Sequence, residues 1–344
     1  MTASTTLTNE APAWRLATRR SGSRDGELML VDETGTAWVS AAAIAPTLQA
    51  LLDDWDRLAP AMEALRRACA ANHWAGAERF DPGACMAPLP RAYQWADASV
   101  YLNHARLMYQ WRKEPIPTRY DIDPLVYQGG SDVMLGCQDP IEAVDEALGI
   151  DLEAEVAVIT GDVPMGVSAQ AALSHVRLVV LLNDVSLRGL IPDEVGRGFG
   201  FYQSKPATSF APVAVTPAVL GEAWRDGKVD LQVDVAVNRA WFGTLRSGEE
   251  MVFGFGQIIA HLARTRRLAA GTVVGAGTIS NADPARGNAC ITESRVRGLL
   301  AGQVEADLTP YLRHGDRVRI EAVDVDGRSV FGAIDQAVVV AGVR

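Results

Sequence analysis

Asp151-Leu152-Glu153-Ala154-Glu155-Val156-Ala157-Val158-Ile159 is the stretch that decides how this 344-residue chain is read. β-Branched residues crowd its second half, so it reads as a strand, and alternation puts Leu152, Ala154, Val156 and Val158 on one face. Glu153 and Glu155 are left together on the other, about 6.5–7 Å apart as residues i and i+2. Carboxylates are depleted in strands that run into a core, so two like charges held this way need a cause. One cause is a divalent cation between them, because hard cations take oxygen ligands and neutralise the repulsion. The other is an edge strand with one wet face. The stretch alone leaves both open.

Working outward, a chain of 344 residues and 36.9 kDa is long enough for a large core, with room for a small domain beside a large one. Hydrophobic residues at 48% and charged residues at 22% are ordinary globular composition. A net charge of -10 supplies no concentrated basic surface and argues against a nucleic-acid partner. Cys69, Cys85, Cys137 and Cys290 are scattered with no C-x-x-C pair, which points to reduced thiols in a cytoplasm. Residues 1–13 are mostly small and polar, lack the basic-then-apolar order of a signal peptide, and read as a mobile tail. No apolar run approaches the roughly 20 residues of a membrane span, so no membrane partner is expected.

Trp14 to Arg20, Glu27 to Val31 and Thr36 to Ser40 read as short strands between Gly/Asp turns. Helical spacing follows over Leu48 to Leu58 and Ala61 to Asn72. Pro82, Pro88 and Pro90 then interrupt the pattern, placing a boundary near Pro90: a small β/α domain over 14–90 and a larger one over 91–344. Beyond it alternation dominates, with Leu231, Val233, Val235 and Val237 on one strand face and Val318, Ile320 and Ala322 on another. Asp326-Gly327 signals a hairpin before Ser329 to Gly332, and Gln257 to Leu268 is the clearest helix of this β-rich part.

Val176 to Leu182 reads as a buried strand ending at Asn183-Asp184-Val185-Ser186-Leu187-Arg188, and a carboxylate at its mouth is well placed for a ligand, though Asp184 alone could be a turn-initiating residue. Asp97 and His104 are seven apart, which on a helix puts both on one face two turns apart. With five His in the chain and no second one near enough for a zinc pair, His104 reads as a base rather than a ligand. Gly196-Arg197-Gly198-Phe199-Gly200 and Gly275-Ala276-Gly277-Thr278 do not follow the strand–turn–helix order of a dinucleotide fingerprint and read as loops. No G-x-S-x-G elbow or H-E-x-x-H is present.

The ordered blocks Asp97, His104, Tyr127, Glu153-Ala154-Glu155, Asn183-Asp184 with Arg188, Ser204-Lys205, Gly277-Thr278-Ile279-Ser280 and Glu293 resemble the fumarylacetoacetate hydrolase family over about 91–343, and 14–90 resembles the small domain of its longer, fumarylacetoacetase-like branch. The resemblance implies a mixed β-rich α+β fold: a small N-terminal domain, then a rolled mixed β-sheet catalytic domain. It implies a divalent cation, Mg or Ca with Mn possible, held by Asp97, Glu153, Glu155 and Asp184. His104, oriented by Glu293, would activate water; Lys205 and Arg188 would face the developing oxyanion. Tyr127, Lys113 or its neighbour Arg112, and Thr278 fall where the family contacts substrate. The implied activity is hydrolysis of a carbon-carbon bond in a β-diketo acid, fumarylacetoacetate or a related acylpyruvate, in aromatic compound catabolism. The alternative is a 2-oxo acid decarboxylase, hydratase or isomerase using the same metal enolate. The family usually forms homodimers. Departures lie in the walls: Ser99 stands where fumarylacetoacetase has a Tyr, Ile191 where it has a Gln, and the basic substrate contact is Lys rather than Arg.

Overall fold

The computed structural model describes residues 11–342. Of the expected tail, 1–10 lies outside that range. The next residues are anchored, since Thr216 Oγ1 donates to the Pro12 carbonyl at 2.5 Å and accepts from the Trp14 N–H at 2.9 Å.

An eleven-stranded mixed sheet carries the molecule. In spatial order it runs Glu78–Arg79, Ala37–Ser40, Glu27–Val31, Arg15–Arg19, Val213–Val215, Val176–Asn183, Ala154–Thr160, Thr272–Gly275, Gln94–Ser99 and Leu125–Gly129, with Ser209–Phe210 pairing onto Val176–Asn183. The N-terminal strands fall where alternation places them and continue this sheet through the antiparallel Arg15–Arg19 and Val213–Val215 pair. A second sheet orders Ala240–Arg246, Gln232–Val237, Arg317–Val323, Ile334–Val340 and Ile141–Ala143. The architecture is thus mixed β with helices, as expected, and the N-terminal strands share one sheet with the larger remainder of the chain.

The strand that opened the reading sits in the middle of the long sheet, paired on one side with Val176–Asn183 and on the other with Thr272–Gly275. That removes the edge-strand explanation. It also has two dry faces. Ala154, Val156 and Val158 join the core shared with the second sheet, including Val233, Ile320 and Phe331. Ala157 and Ile159 join a second core under the N-terminal helices, with Leu51, Trp55, Leu58 and Met62. The strand begins at Ala154, so Glu153 precedes it, and Glu155 occupies the second face where that core gives way to the site.

Several boundaries differ from the sequence reading. The helices are Leu48–Asp53 and Trp55–Ala71, broken at Asp54, with Pro60 inside the second. Trp55, Leu58 and Met62 form one buried stripe across the proline, and burial of that stripe outweighs the lost hydrogen bond. The helix expected over Gln257 to Leu268 is Phe255–Leu262. Leu268 instead exchanges backbone hydrogen bonds with Val163 across the exposed 264–267 segment. Asp326-Gly327 does turn the chain back as expected, the Asp324 N–H donating to the Arg328 carbonyl at 3.0 Å and the Val330 N–H to the Ala322 carbonyl at 2.9 Å, but the pairing is short, a bridge of Val323 to Ser329 before the strand Ile334–Val340.

Candidate active site

Asp97 and His104 do not share a helix. Asp97 lies in the strand Gln94–Ser99 and His104 in the first turn of the helix Leu102–Arg112 that follows it. The seven-residue spacing spans a strand end and a helix start, and both still reach the site. Asp97 pairs in register with Tyr127 on one neighbouring strand and with Gly275 on the other. Gly275 has to lack a side chain, because a Cβ there would fall 2.2 Å from Asp97 Oδ1. The same oxygen accepts the Gly277 N–H at 3.1 Å, and Gly277 adopts φ +87°, the left-handed region that glycine enters freely.

Asp97, Glu155 and Asp184 are all buried, and each offers a carboxylate oxygen within 4.8 Å of one on the other two. Asp184 has both oxygens occupied: Thr208 Oγ1 donates to Oδ1 at 2.8 Å, while Lys205 Nζ at 2.6 Å and the Tyr127 hydroxyl donate to Oδ2. Glu155 is the anomaly. Neither of its oxygens accepts a hydrogen bond from an N–H or hydroxyl donor although the residue is fully buried, and the polar group it meets is the Asp97 carboxyl. Burial, then the charges of Asp97 and Asp184, hold its carboxyl well above the usual range; burial and the Asp184 charge do the same to Asp97.

Glu153 is placed differently from its partner in the pair. Its Oε1 accepts from Arg188 Nη2 at 2.6 Å and its Oε2 from Lys205 Nζ at 2.5 Å, and it stands outside the close trio of carboxylates. Burial works to raise its pKa, but the charges of Lys205 and Arg188 outweigh that and hold the carboxyl far below the usual range. Lys205 thereby bridges Glu153 and Asp184, and its ammonium lies 5.3 Å from the centre of the Tyr127 ring. The same two carboxylates overcome desolvation and raise the lysine's pKa, keeping it protonated.

His104 Nδ1 lies 3.2 Å from Glu293 Oε2, and Arg297 Nη2 donates to Glu293 Oε1 at 2.8 Å. Burial would raise the Glu293 carboxyl, but the His104 hydrogen bond and Arg297 lower it. The helix Ile291–Leu300 that carries Glu293 is fixed at its N-terminus by Asp151, which accepts the N–H groups of Ile291 at 2.7 Å and Thr292 at 2.9 Å. Asp151 also accepts Arg188 Nε at 2.8 Å. One buried carboxylate therefore ties the Arg188 cation to the Glu293 helix. Asn103, next to His104, donates to Ser280 Oγ and the Asn281 carbonyl, so the Gly277–Ser280 block locates the histidine helix. Cys290 lies within 4.8 Å of His104 and Glu293, but its Sγ accepts the Glu293 N–H and burial pushes its thiol up, which makes it a helix cap.

Of the residues expected at the site, Asp97, Glu153, Glu155, Asp184, Lys205, Arg188, Tyr127, His104 and Glu293 converge. Thr278 is buried directly after Gly277. Lys113 does not converge: it is exposed at the left-handed C-cap of its helix, and among the described residues no side-chain hydrogen bond or ion pair joins it to the site. Asp151, Thr208 and Asn103 were missed, and only the structure brings them in. At the altered wall, Ser99 Oγ lies 3.0 Å from the Tyr120 hydroxyl, so a phenol from a different segment stands beside Ser99.

Residues 94–339 match the fumarylacetoacetate (FAA) hydrolase C-terminal family and residues 14–91 match fumarylacetoacetase N-terminal domain 2. The chain belongs to the fumarylacetoacetate hydrolase family. Its fold is similar to fumarylacetoacetate hydrolase from Exiguobacterium antarcticum, with a TM-score of 0.64 and 18% identity over 96% of this chain and all of that one (100%). It is also similar to maleylpyruvate hydrolase from Sphingobium sp. SYK-6 in complex with manganese (II) ion and pyruvate, with a TM-score of 0.61 and 18% identity over 94% and 98% of the two chains. A 2,4-didehydro-3-deoxy-L-rhamnonate hydrolase from Sphingomonas sp. (strain SKA58) is 28% identical over 167 residues, 48% of this chain and 54% of the relative. The chain is thus an enzyme of a family whose relatives and structural neighbours are named as hydrolases and as isomerases. Among the described residues no helix is long and apolar enough to cross a membrane.

Proposed function

We propose that this enzyme is a metal-dependent hydrolase that cleaves a carbon-carbon bond in a β-diketo acid, fumarylacetoacetate or a related acylpyruvate, on water activated by His104 and Glu293. The observation that carries the reading is the orphaned Glu155 carboxylate between Asp97 and Asp184. Around it, the cations Lys205 and Arg188 are taken up in ion pairs with Glu153, Asp184 and Asp151, so among the described residues no cation pairs with Asp97 or Glu155 when they ionise. An all-oxygen donor set short of positive charge fits a hard divalent cation, Mg or Ca, with Mn also suited.

Asp97, Glu155 and Asp184 would hold the ion, while Glu153 stands outside that trio with its two oxygens on Arg188 and Lys205. When bound, such an ion supplies Lewis acidity toward the two oxygens of a 1,3-dicarbonyl. The rest falls to the chain. His104 takes a proton from water through the nitrogen that faces away from Glu293, while Glu293 keeps Nδ1 as the donor and steadies the imidazolium. The water oxygen adds to the acyl carbonyl carbon of the 1,3-diketone, the fumaryl carbonyl in fumarylacetoacetate or the acyl carbonyl in an acylpyruvate. Lys205 and Arg188, fixed by buried carboxylates, present positive charge to the oxyanion that forms. As that oxyanion collapses, the carbon-carbon bond breaks, its electron pair passes to the methylene carbon, and a proton returns there. The products are a carboxylic acid and an oxo acid: fumarate and acetoacetate from fumarylacetoacetate, or a carboxylic acid and pyruvate from an acylpyruvate, pyruvate being what the manganese-loaded relative holds.

The test is the loss of diketone absorbance from fumarylacetoacetate and acetylpyruvate in the presence of Mg, Mn or Ca and after chelation. Metal-dependent loss in the wild type, with a fall of about 10²–10⁴ in His104→Ala and unchanged metal binding, is expected. Full activity of a metal-free wild type would refute the reading.

A further inference from the structure

Lys205 is a buried cation at the centre of the site, yet the chain that delivers it is almost unpacked. Between the helix Ile191–Arg197 and Ser204, Phe199 is 100% exposed and Tyr202 87% exposed. Gly198 and Gly200 adopt φ of +77° and +101°, and a Cβ on either would meet nothing within 4 Å. Core burial therefore cannot hold this segment. What holds it is Glu194. Its Oε1 accepts the Gln203 N–H at 2.7 Å and the Tyr202 N–H at 3.1 Å; its Oε2 accepts the Ser204 N–H at 3.2 Å and the Ser204 hydroxyl at 2.5 Å. Three consecutive backbone donors and one hydroxyl converge on a single carboxylate, an acceptor-only group with sites enough for all of them. Ser204 is fixed on its other side as well, since its carbonyl accepts the Leu187 N–H at 2.8 Å, one residue before Arg188. Phe201, inside the same segment, packs edge-on against Tyr127 with ring centres 5.1 Å apart.

We propose that Glu194 is a positioning residue that sets Lys205, and through Phe201 the Tyr127 ring, by gripping the three N–H groups that precede the lysine. The proposal rests on the hydrolase reading for what Lys205 does, but not for where Lys205 is held. A carboxylate is specifically required. Glutamine has the same shape but replaces one acceptor oxygen with an amide that points a donor at donors, and it loses the charge that strengthens such bonds about twofold. Burial works against ionisation of Glu194, but the Ser204 hydroxyl and the three N–H groups outweigh it and hold its carboxyl below the usual range, as a gripping carboxylate requires.

The experiment compares wild type with Glu194→Gln, and with Ser204→Ala as the milder variant that removes only the hydroxyl bond. Three readouts are taken on the intact protein. Amide hydrogen exchange at 202–204 is expected to quicken about tenfold or more in Glu194→Gln, with the sheet core unchanged. Acetylation of Lys205 by acetic anhydride, read by mass spectrometry, is expected to quicken in parallel. With acetylpyruvate, kcat is expected to fall by about 10–10², since a misplacement of about 1 Å at a reacting centre costs about that much, while KM changes less than threefold. Ser204→Ala is expected to move each readout the same way by a smaller factor. Unchanged exchange at 202–204 would overturn the proposal. So would faster exchange with Lys205 acetylation and kcat both unchanged, because the lysine would then be held by its ion pairs alone. If the wild type hydrolyses no diketo acid, the hydrolase reading fails, and exchange and acetylation still decide the role of Glu194.

Discussion

Replacing Glu155 with glutamine should strengthen the metal-free protein while destroying its response to metal. Both Glu155 oxygens are buried without an N–H or hydroxyl donor and lie beside the carboxylates of Asp97 and Asp184. A buried polar group left unsatisfied costs about 1–3 kcal/mol, and more when charged. The glutamine amide has the same shape, carries no charge, and can donate to either neighbouring carboxylate, so Glu155→Gln should gain about 2 kcal/mol in chelator, a few degrees in the thermal midpoint. The sign with pH follows from linkage. The Glu155 pKa is raised in the folded state, so the fold keeps a proton that the unfolded chain releases. That stabilisation is fully present below the unfolded value of about 4.3 and is lost as pH rises through the folded value. Glutamine does not titrate there, so its advantage in chelator should widen from pH 5 to pH 8. With metal at about a hundred times its Kd, wild type gains about 2.7 kcal/mol and should overtake the variant by about 1 kcal/mol. Thermal unfolding followed by fluorescence, in chelator and in Mg, Mn and Ca, measures the crossing. A variant less stable than wild type in chelator, or one that still responds to metal, would refute the reasoning.

Gly275→Ala puts a methyl 2.2 Å from Asp97 Oδ1 and 2.5 Å from the buried Trp95 ring, so both must move; calorimetric titration with Mn should show metal affinity reduced about tenfold or more, with about 1–3 kcal/mol of stability lost to overpacking. Asp151→Ala strips Arg188 of one ion-pair partner and two N–H groups of the Glu293 helix of their acceptor; urea unfolding should register a loss of about 3–5 kcal/mol, the usual cost of breaking a buried pair. Burial pushes the Cys85 and Cys137 thiols up to about 12, and Cys290 is raised as well. Iodoacetamide at pH 8 should therefore label Cys69 first in the native protein, and mass mapping would detect early labelling of the other three, which would contradict this ordering.

Much of the site was legible because its residues are out of place where they stand. Glu155 inside an apolar strand and Asp184 at the mouth of another violate the rule that strands entering a core exclude carboxylates, and violations of that kind mark function. What sequence could not supply was direction. Asp97 and His104 fit a helical period by spacing, and only strand pairing with Gly275 and Tyr127 shows that one ends a strand and the other starts a helix. Asp151 was illegible for a different reason. It is an ordinary acidic residue locally, and its helix partners lie 140 residues away. Glu194 likewise reads as a solvated helix residue until the exposed segment after it is seen to turn back onto its carboxylate.

The pair that opened the reading shows why spacing alone underdetermines chemistry. A regular pleat would put Glu153 and Glu155 side by side, as twin ligands of one ion. The strand starts only at Ala154, so Glu153 turns toward Arg188 and Lys205 while Glu155 faces Asp97 and Asp184. The consequence is a division of charge. Glu153 is held far below the usual carboxylate range by cations, whereas Glu155 is held far above it by burial and like charges. Two glutamates of one tripeptide thus sit at opposite ends of the electrostatic range, within a site that also holds Asp97, Asp184, Lys205 and Arg188. The first glutamate anchors the cations that would meet an oxyanion; the second is the carboxylate without a cation that a divalent ion would neutralise. Exchanging them by mutation tests the division: Glu153→Gln should loosen Lys205 and Arg188 and depress kcat while leaving most metal affinity, and Glu155→Gln should abolish metal affinity while leaving Lys205 and Arg188 where they are. Equal loss of metal affinity in both variants would show that the two carboxylates act as the twin ligands their spacing first suggested.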